Sequence, residues 1–168
     1  HTEEDSEKTE QVRQVLKEID TKRQDDLVFN EAFDFIKMGQ EERGIERIRY
    51  FIDRNPDVWN AWFVLGWGLR KTGKYSEAKA AFEKSLELNA THPDSLNELA
   101  ICNLELEEYG EAKQHLEKAL QIEPENTKII SNLGILALKQ GDPQLARRFF
   151  LTVLEIDPDD PLAPRYID

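Results

Sequence analysis

Three histidines, one cysteine and 34 carboxylates are the groups in this 168-residue chain that can do acid–base, nucleophilic or metal chemistry. His1 is terminal, His92 stands beside Pro93 between two periodic segments, and His115 lies within a helical pattern. None pairs with another at metal-ligand spacing, and there is no Cys-x-x-Cys pair or phosphate-binding glycine loop. Cys102 is the only cysteine, which excludes an internal disulfide, and no base stands near it in sequence. It reads as a small core thiol. The carboxylates are spread along solvated helix faces. The expectation is a non-enzymatic chain with no catalytic residues, no metal and no cofactor.

What remains is recognition, and the elements that would position it are legible around residues 62–89. Trp62, Leu65, Gly66 and Leu69 recur at i, i+3, i+4 and i+7, one face of a helix. Gly73 follows where a helix end favours positive φ, and Tyr75, Ala78, Phe82, Ser85 and Leu86 form a second stripe. Gly66 and Ala78 are small, so the two backbones can approach closely. The same frame returns at a step of 34 residues. Trp62, Leu65, Gly66, Ala78, Phe82 and Ser85 become Leu96, Leu99, Ala100, Ala112, Leu116 and Ala119, then Ile130, Leu133, Gly134, Ala146, Phe150 and Val153. One step back gives Val28, Glu31, Ala32, Gly44, Ile48 and Phe51. Pro56, Pro124 and Pro158 keep the period, with Ala90 in the remaining place. Such a period is the mark of a solenoid whose hairpins complete one another's cores.

The spacing W-x2-L-G, then G-x-Y-x2-A-x3-F and a closing proline, resembles the tetratricopeptide repeat. It covers four units, 25–58, 59–92, 93–126 and 127–160. Glu107 replaces the turn glycine of the third, and the first carries Glu31 and Gly44 at usually apolar or alanine positions. The resemblance implies an all-α, right-handed superhelix of four antiparallel hairpins with an extra N-terminal helix. Helices are expected near 26–38, 42–54, 59–72, 76–88, 93–106, 110–122, 127–140 and 144–156.

The resemblance also implies that the first helix of each hairpin lines a concave groove that binds a peptide or helix of a partner protein. The residues it places there include Phe29, Asn30 and Phe33 in the first unit, and Phe63, Trp67, Arg70 and Lys71 in the second. Asn97 and Ile101 follow in the third, and Asn132 in the fourth. Phe29, Phe33, Phe63 and Trp67 are expected to form one aromatic cluster, a usual mark of a binding site; the other reading has them packed against each other or under the N-terminal helix. The asparagines are suited to bonding a peptide backbone. Family members that clamp a C-terminal carboxylate use basic and asparagine residues, but the corresponding positions here carry Phe29, Phe33, Trp67, Asp94 and Glu98. That mode is not expected. Arg70 and Lys71 are left to meet an acidic group of a partner.

A net charge of −12 argues against nucleic acid as a partner, and no apolar run approaches the roughly 18 residues of a membrane span. The third unit holds nine acidic and two basic residues, which reads either as a solvated face or as a surface for a basic segment near Glu105, Glu107, Glu108 and Glu111. Residues 1–24 are expected to be a polar segment, frayed or disordered over the first ten residues, with a short helix over about 9–22 carrying Val12, Val15, Leu16 and Ile19. That helix reads as a cap on the first hairpin or as a linker from an upstream domain. His1, with no initiator methionine before it, is read as an artificial boundary or the remnant of a tag, which leaves room for a longer parent. Three prolines after Ile156 end the last helix, so 161–168 is expected to be an irregular tail and the last hairpin to expose an apolar face. Two alternatives to peptide binding stand beside it. One is self-assembly through the terminal repeats and Leu162; the other is a regulatory or targeting domain of a larger protein. The lone cysteine is compatible with the cytoplasm.

Overall fold

The computed structural model describes residues 2–167, and these are all-helical. Eight α-helices follow one another among them: α1 (Glu3–Lys37), α2 (Glu41–Arg54), α3 (Trp59–Lys71), α4 (Tyr75–Leu88), α5 (Pro93–Glu105), α6 (Tyr109–Ile122), α7 (Thr127–Lys139) and α8 (Pro143–Ile156). A short 3-10 turn, Ala163–Tyr166, closes the order. The chain divides into two compact units, His1–Pro56 and Asp57–Asp168.

The first unit is the hairpin of α1 and α2. Ala32 and Ile36 of α1 are fully buried against Ile45, Ile48, Phe51 and Ile52 of α2. A Cβ on Gly44 would stand 2.8 Å from the Ala32 carbonyl oxygen, so glycine at the usual alanine position lets the backbones close in. At the open end of the hairpin Arg54 Nε donates to Asp25 Oδ1 at 2.9 Å, and Asn55 Nδ2 to Asp25 Oδ2 at 3.3 Å.

The expected short helix before residue 25 is helical but not separate: α1 runs without a break from Glu3 into the first helix of the hairpin. The reason is local. No glycine or proline lies between Glu3 and Lys37. Thr2 and Asp5 form a capping box, and Glu3, Glu4 and Asp5 sit where the helix dipole favours acids. Lys8–Glu4 at 2.8 Å adds i, i+4 support. Val12, Val15, Leu16 and Ile19 are 42–58% exposed, so this stretch does not cap the hairpin core.

In the second unit, three hairpins (α3–α4, α5–α6 and α7–α8) stack in order, with α4 on α5 and α6 on α7, and the first helices α3, α5 and α7 are neighbours in turn. One core cluster gathers Leu96, Leu104, Leu116, Ile129 and Leu133, and a second gathers Ile130, Ala137, Ala146, Phe150 and Val153. Each hairpin alone leaves an apolar face bare; stacking buries it at roughly 1.5–3 kcal/mol per large side chain. The starts of α7 and α8 are written in the sequence. Asn126 Oδ1 accepts from Lys128 N at 3.0 Å, and Asp142 Oδ1 accepts from Leu145 N at 3.0 Å with Pro143 next in line.

The C-terminal segment corrects the expected bare face of the last hairpin. Asp160 Oδ2 accepts from Leu162 N at 3.0 Å and Ala163 N at 2.8 Å, starting the 3-10 turn. That turn buries Ala163 and stacks Tyr166 on Phe150 at 4.5 Å between ring centroids. Arg147 Nε then donates to the Ile167 carbonyl at 3.1 Å. The prolines stop the helix but leave the chain free to fold back.

Candidate interaction face

Within the second unit the first helices α3, α5 and α7 lie in turn beside one another. Asn97 of α5 and Asn132 of α7 are joined directly, Asn132 Nδ2 donating to Asn97 Oδ1 at 2.8 Å. Both line a pocket of about 220 Å³ together with Ile101, Lys128, Asp160 and Leu162. Sequence reasoning named Asn97, Ile101 and Asn132, and the fold brings these three together. It missed Asp160 and Leu162, which arrive only because the tail folds back.

At the α3 end, Arg70 does not wait for a partner. Its Nε pairs with Glu98 Oε2, and its Nη2 donates to Glu98 Oε1 at 3.4 Å. The two side chains are 25% and 17% exposed. Burial pushes the Glu98 carboxyl above its ordinary value, and the Arg70 charge opposes that shift. Lys71 extends over the Trp67 ring, Nζ 5.1 Å from the centroid, a cation–π contact. The expectation is that Arg70 meets an acidic group of a partner; in the fold it is paired with an acid of this chain.

Phe63 is half-buried and faces inward. Its ring lies 5.7 Å from Phe82 and 5.3 Å from His92, whose own ring is 4.4 Å from Trp59. In the first unit Phe29 packs edge-on against Phe51 at 5.3 Å, Asn30 is exposed, and Phe33 is 39% exposed. Phe29 and Phe63 are therefore engaged in packing their own hairpins.

His92 does more than sit in a turn. Ser95 Oγ lies 2.7 Å from its Nδ1 and 3.1 Å from Ser85 Oγ, and Ser95 N donates to the same Nδ1 at 3.2 Å. A hydroxyl on an imidazole nitrogen is the geometry of an activated nucleophile. Here Ser85 and Ser95 are fully buried, and Asp94 stands a loose 4.0 Å from Nε2. The arrangement caps α5. Burial lowers the His92 pKa. A serine ten residues before another, across a helix boundary, was the signal available in sequence.

A second buried network ties α4, α5 and α6. Asn103, fully buried, accepts from His115 Nδ1 at 2.8 Å and donates to Glu108 and Glu111 at 3.3 and 3.2 Å. Lys79 Nζ reaches the same two carboxylates at 2.8 and 3.1 Å. Part of the acidic third repeat is thus neutralised by the second. Cys102 is buried, and desolvation pushes its thiol up to about 12, which disfavours the thiolate a nucleophile needs. Among the described residues no group of three His, Cys, Asp or Glu side chains is placed to hold a metal ion, and no helix is long and apolar enough to cross a membrane.

Models of the tetratricopeptide repeat match residues 59–92, 81–114 and 103–163. Among solved structures the chain is similar to PilF of Pseudomonas aeruginosa, with 21% identity, a TM-score of 0.77, and coverage of 85% of this chain and 65% of that one. A MamA chain running from residue 41 to the end, from Desulfovibrio magneticus RS-1, superposes with a TM-score of 0.77 at 17% identity, covering 85% of this chain and 81% of that one. YrrB, described as a TPR protein with an unusual peptide-binding site, gives 0.70 at 22% identity over 83% of this chain and 72% of its own. The chain thus spans just under two thirds of the length of PilF. These identities establish a common fold. No curated protein matches the sequence. With repeat models running from residue 59 to residue 163 and hairpin stacking to match, the chain belongs to the tetratricopeptide repeat family.

Proposed function

We propose that the chain is a non-catalytic protein-interaction module that receives a peptide or helix of a partner protein on the face made by α3, α5 and α7. The observation that carries this reading is the Asn97–Asn132 amide pair at the edge of the 220 Å³ pocket. An amide that donates to its neighbour still has an acceptor oxygen and a second N–H to offer, and a peptide backbone needs both. Ile101 and Leu162 give the pocket apolar walls, and the Trp67 ring with Lys71 above it supplies an aromatic anchor farther along. Aromatic anchors in partly desolvated settings carry a large share of binding energy. YrrB, with its peptide-binding site, is a precedent within the same fold. The buried Ser95 and the paired Glu98 favour a scaffold over an enzyme.

The test is selection of peptides from a displayed library against the whole chain, followed by titration of the winners. Asn132→Leu and Trp67→Glu are each expected to weaken binding by about tenfold or more with circular dichroism unchanged. Peptides that bind both folded variants as tightly as the original chain would place the binding surface elsewhere.

A further inference from the structure

Part of the wall of the 220 Å³ pocket comes from a segment that belongs to no hairpin. Asp160 and Leu162 line it beside Asn97, Ile101 and Asn132, and both lie in the stretch that follows α8. A chain end holds one position only where something ties it down. What ties this one is on the other side of the same turn. Leu162 is 48% exposed, but the next residue, Ala163, is fully buried among Ile130, Ala146, Phe150 and Val153. Three residues on, Tyr166 lies flat on Phe150, the ring planes 14° apart.

Hydrogen bonds join these two faces of the turn. The Asp160 carboxylate accepts from Leu162 N and Ala163 N, and Arg165 N donates to the Leu162 carbonyl at 3.0 Å. One 34-residue step earlier Asn126 accepts from Lys128 N and Ile129 N in the same way, and Ile129 is as completely buried as Ala163. The tail therefore docks as the start of α7 does, but only four residues of 3-10 helix follow. Its hold is small: Ala163, Tyr166 and Ile167 pack on the last core cluster, with one bond from Arg147 to the Ile167 carbonyl. A short segment with so few buried side chains opens at low free energy. We infer that the tail is a latch on the pocket and that Tyr166 is its positioning residue: the ring on Phe150 holds Asp160 and Leu162 in place, so the pocket is whole only while the tail is docked. The inference rests on the reading of this pocket as the receiving site for a peptide. A peptide that touches Leu162 binds the docked chain, its apparent affinity scales with the docked fraction, and it holds the tail down in return. Tyr166 itself does not line the pocket.

Tyr166→Ala and Tyr166→Phe in the whole chain test this, first with no peptide present. In Tyr166→Ala the amides of Leu162 and Ala163 should lose most of their protection from hydrogen exchange, and the side-chain amide NMR signals of Asn97 and Asn132 should shift. Tyr166→Phe keeps the ring and should restore both. Tyr166 is half-buried at the chain end, so exchange in α7 should not change. A peptide selected on the unaltered chain, and weakened by Asn132→Leu, should then bind Tyr166→Ala about fivefold or more weaker and Tyr166→Phe as before. The same peptide should slow exchange at Leu162 and Ala163 in the unaltered chain. The latch is overturned if Tyr166→Ala leaves the Asn97 and Asn132 signals in place, or if it binds the peptide at full strength while Asn132→Leu does not. If no selected peptide responds to Asn132→Leu, the reading of the pocket as the receiving site fails, and the Asn97 and Asn132 signals still uphold or overturn the latch.

Discussion

The ring of Phe82 occupies the space in which a side chain on Gly66 would begin: a Cβ there would stand 2.7 Å from Phe82 Cε1. Two repeats on, Gly134 and Phe150 reproduce the relationship at 2.7 Å, whereas the middle repeat fills the same place with Ala100 and Leu116. Volume is conserved across the pair and not at either position. Gly66→Ala gains up to about 1 kcal/mol of helix propensity but must displace a buried ring, and overpacking of that kind costs roughly 1–3 kcal/mol. The clash wins, and urea unfolding should show a net loss of about 1–2 kcal/mol. Gly110 is the control. It is helical, and a Cβ there meets nothing within 4 Å, so Gly110→Ala should be neutral or stabilising by a few tenths of a kcal/mol.

Glu107 holds a φ of 61° where the other three hairpins place Gly39, Gly73 and Gly141 at 83°, 79° and 78°. The left-handed conformation costs a residue with a Cβ roughly 1–2 kcal/mol, of which part is returned because glycine is freer in the unfolded chain. Glu107→Gly should therefore raise stability by about 1 kcal/mol, and should also remove one charge from an acidic surface. Thermal unfolding would register it as a higher midpoint. An unchanged or lower midpoint would mean that the Glu107 side chain makes a compensating interaction.

The hairpins could be read from the sequence because each rests on a local stripe repeated at one interval, as the Gly66–Phe82 and Gly134–Phe150 pairs demonstrate. Glu107 at a turn position was legible for the same reason. Features set by chain reversal were not. Tyr166 reaches Phe150 only after the Asp160 turn, and three prolines read simply as an end. The Arg70–Glu98 pair joins residues 28 apart on successive first helices. Its geometry is implicit in the repeat, but one that emerges only when side chains of neighbouring repeats are matched to each other and not only to their own core. The continuity of α1 was hidden for a different reason: a polar, acidic start suggests disorder by composition, while capping and i, i+4 pairs make it helical.

Arg70 is a structural residue before it is a binding one. Removing it leaves the Glu98 carboxylate, 17% exposed, without the charge that offsets its burial. Arg70→Ala should cost about 2–3 kcal/mol and move the Glu98 pKa further upward. Glu98→Gln should cost less, because a neutral amide tolerates burial and still accepts from the guanidinium. Unfolding of the two single variants and the double variant at neutral pH measures the coupling. Additive losses would show that the pair contributes nothing beyond its separate side chains.

Acid should loosen the second unit at the α4–α5 junction first. His92 Nδ1 accepts from the Ser95 backbone and hydroxyl, and its ring is packed against Trp59 and Phe63. A proton on Nδ1 would turn that acceptor into a donor facing the Ser95 backbone N–H, and the Ser95 hydroxyl would have to turn from donating to accepting. Burial places the native His92 pKa below its ordinary 6.5, and His115 is lowered in the same way. The unfolded chain therefore binds more protons than the native one below about pH 6.5. The stability these neutral rings confer is complete above that pH, and it is lost as pH falls through 6.5 toward the depressed native values. Glu98 acts in the opposite sense, since its raised native pKa makes the fold gain as acid neutralises it. Urea unfolding between pH 7 and pH 5 should show falling stability, with a smaller slope in His92→Asn, whose amide can still cap α5 without titrating. Asn should lower stability at pH 7 through the lost ring contacts with Trp59 and Phe63. If the slope is the same in His92→Asn as in the unaltered chain, the acid sensitivity belongs to His115 and the network around Asn103.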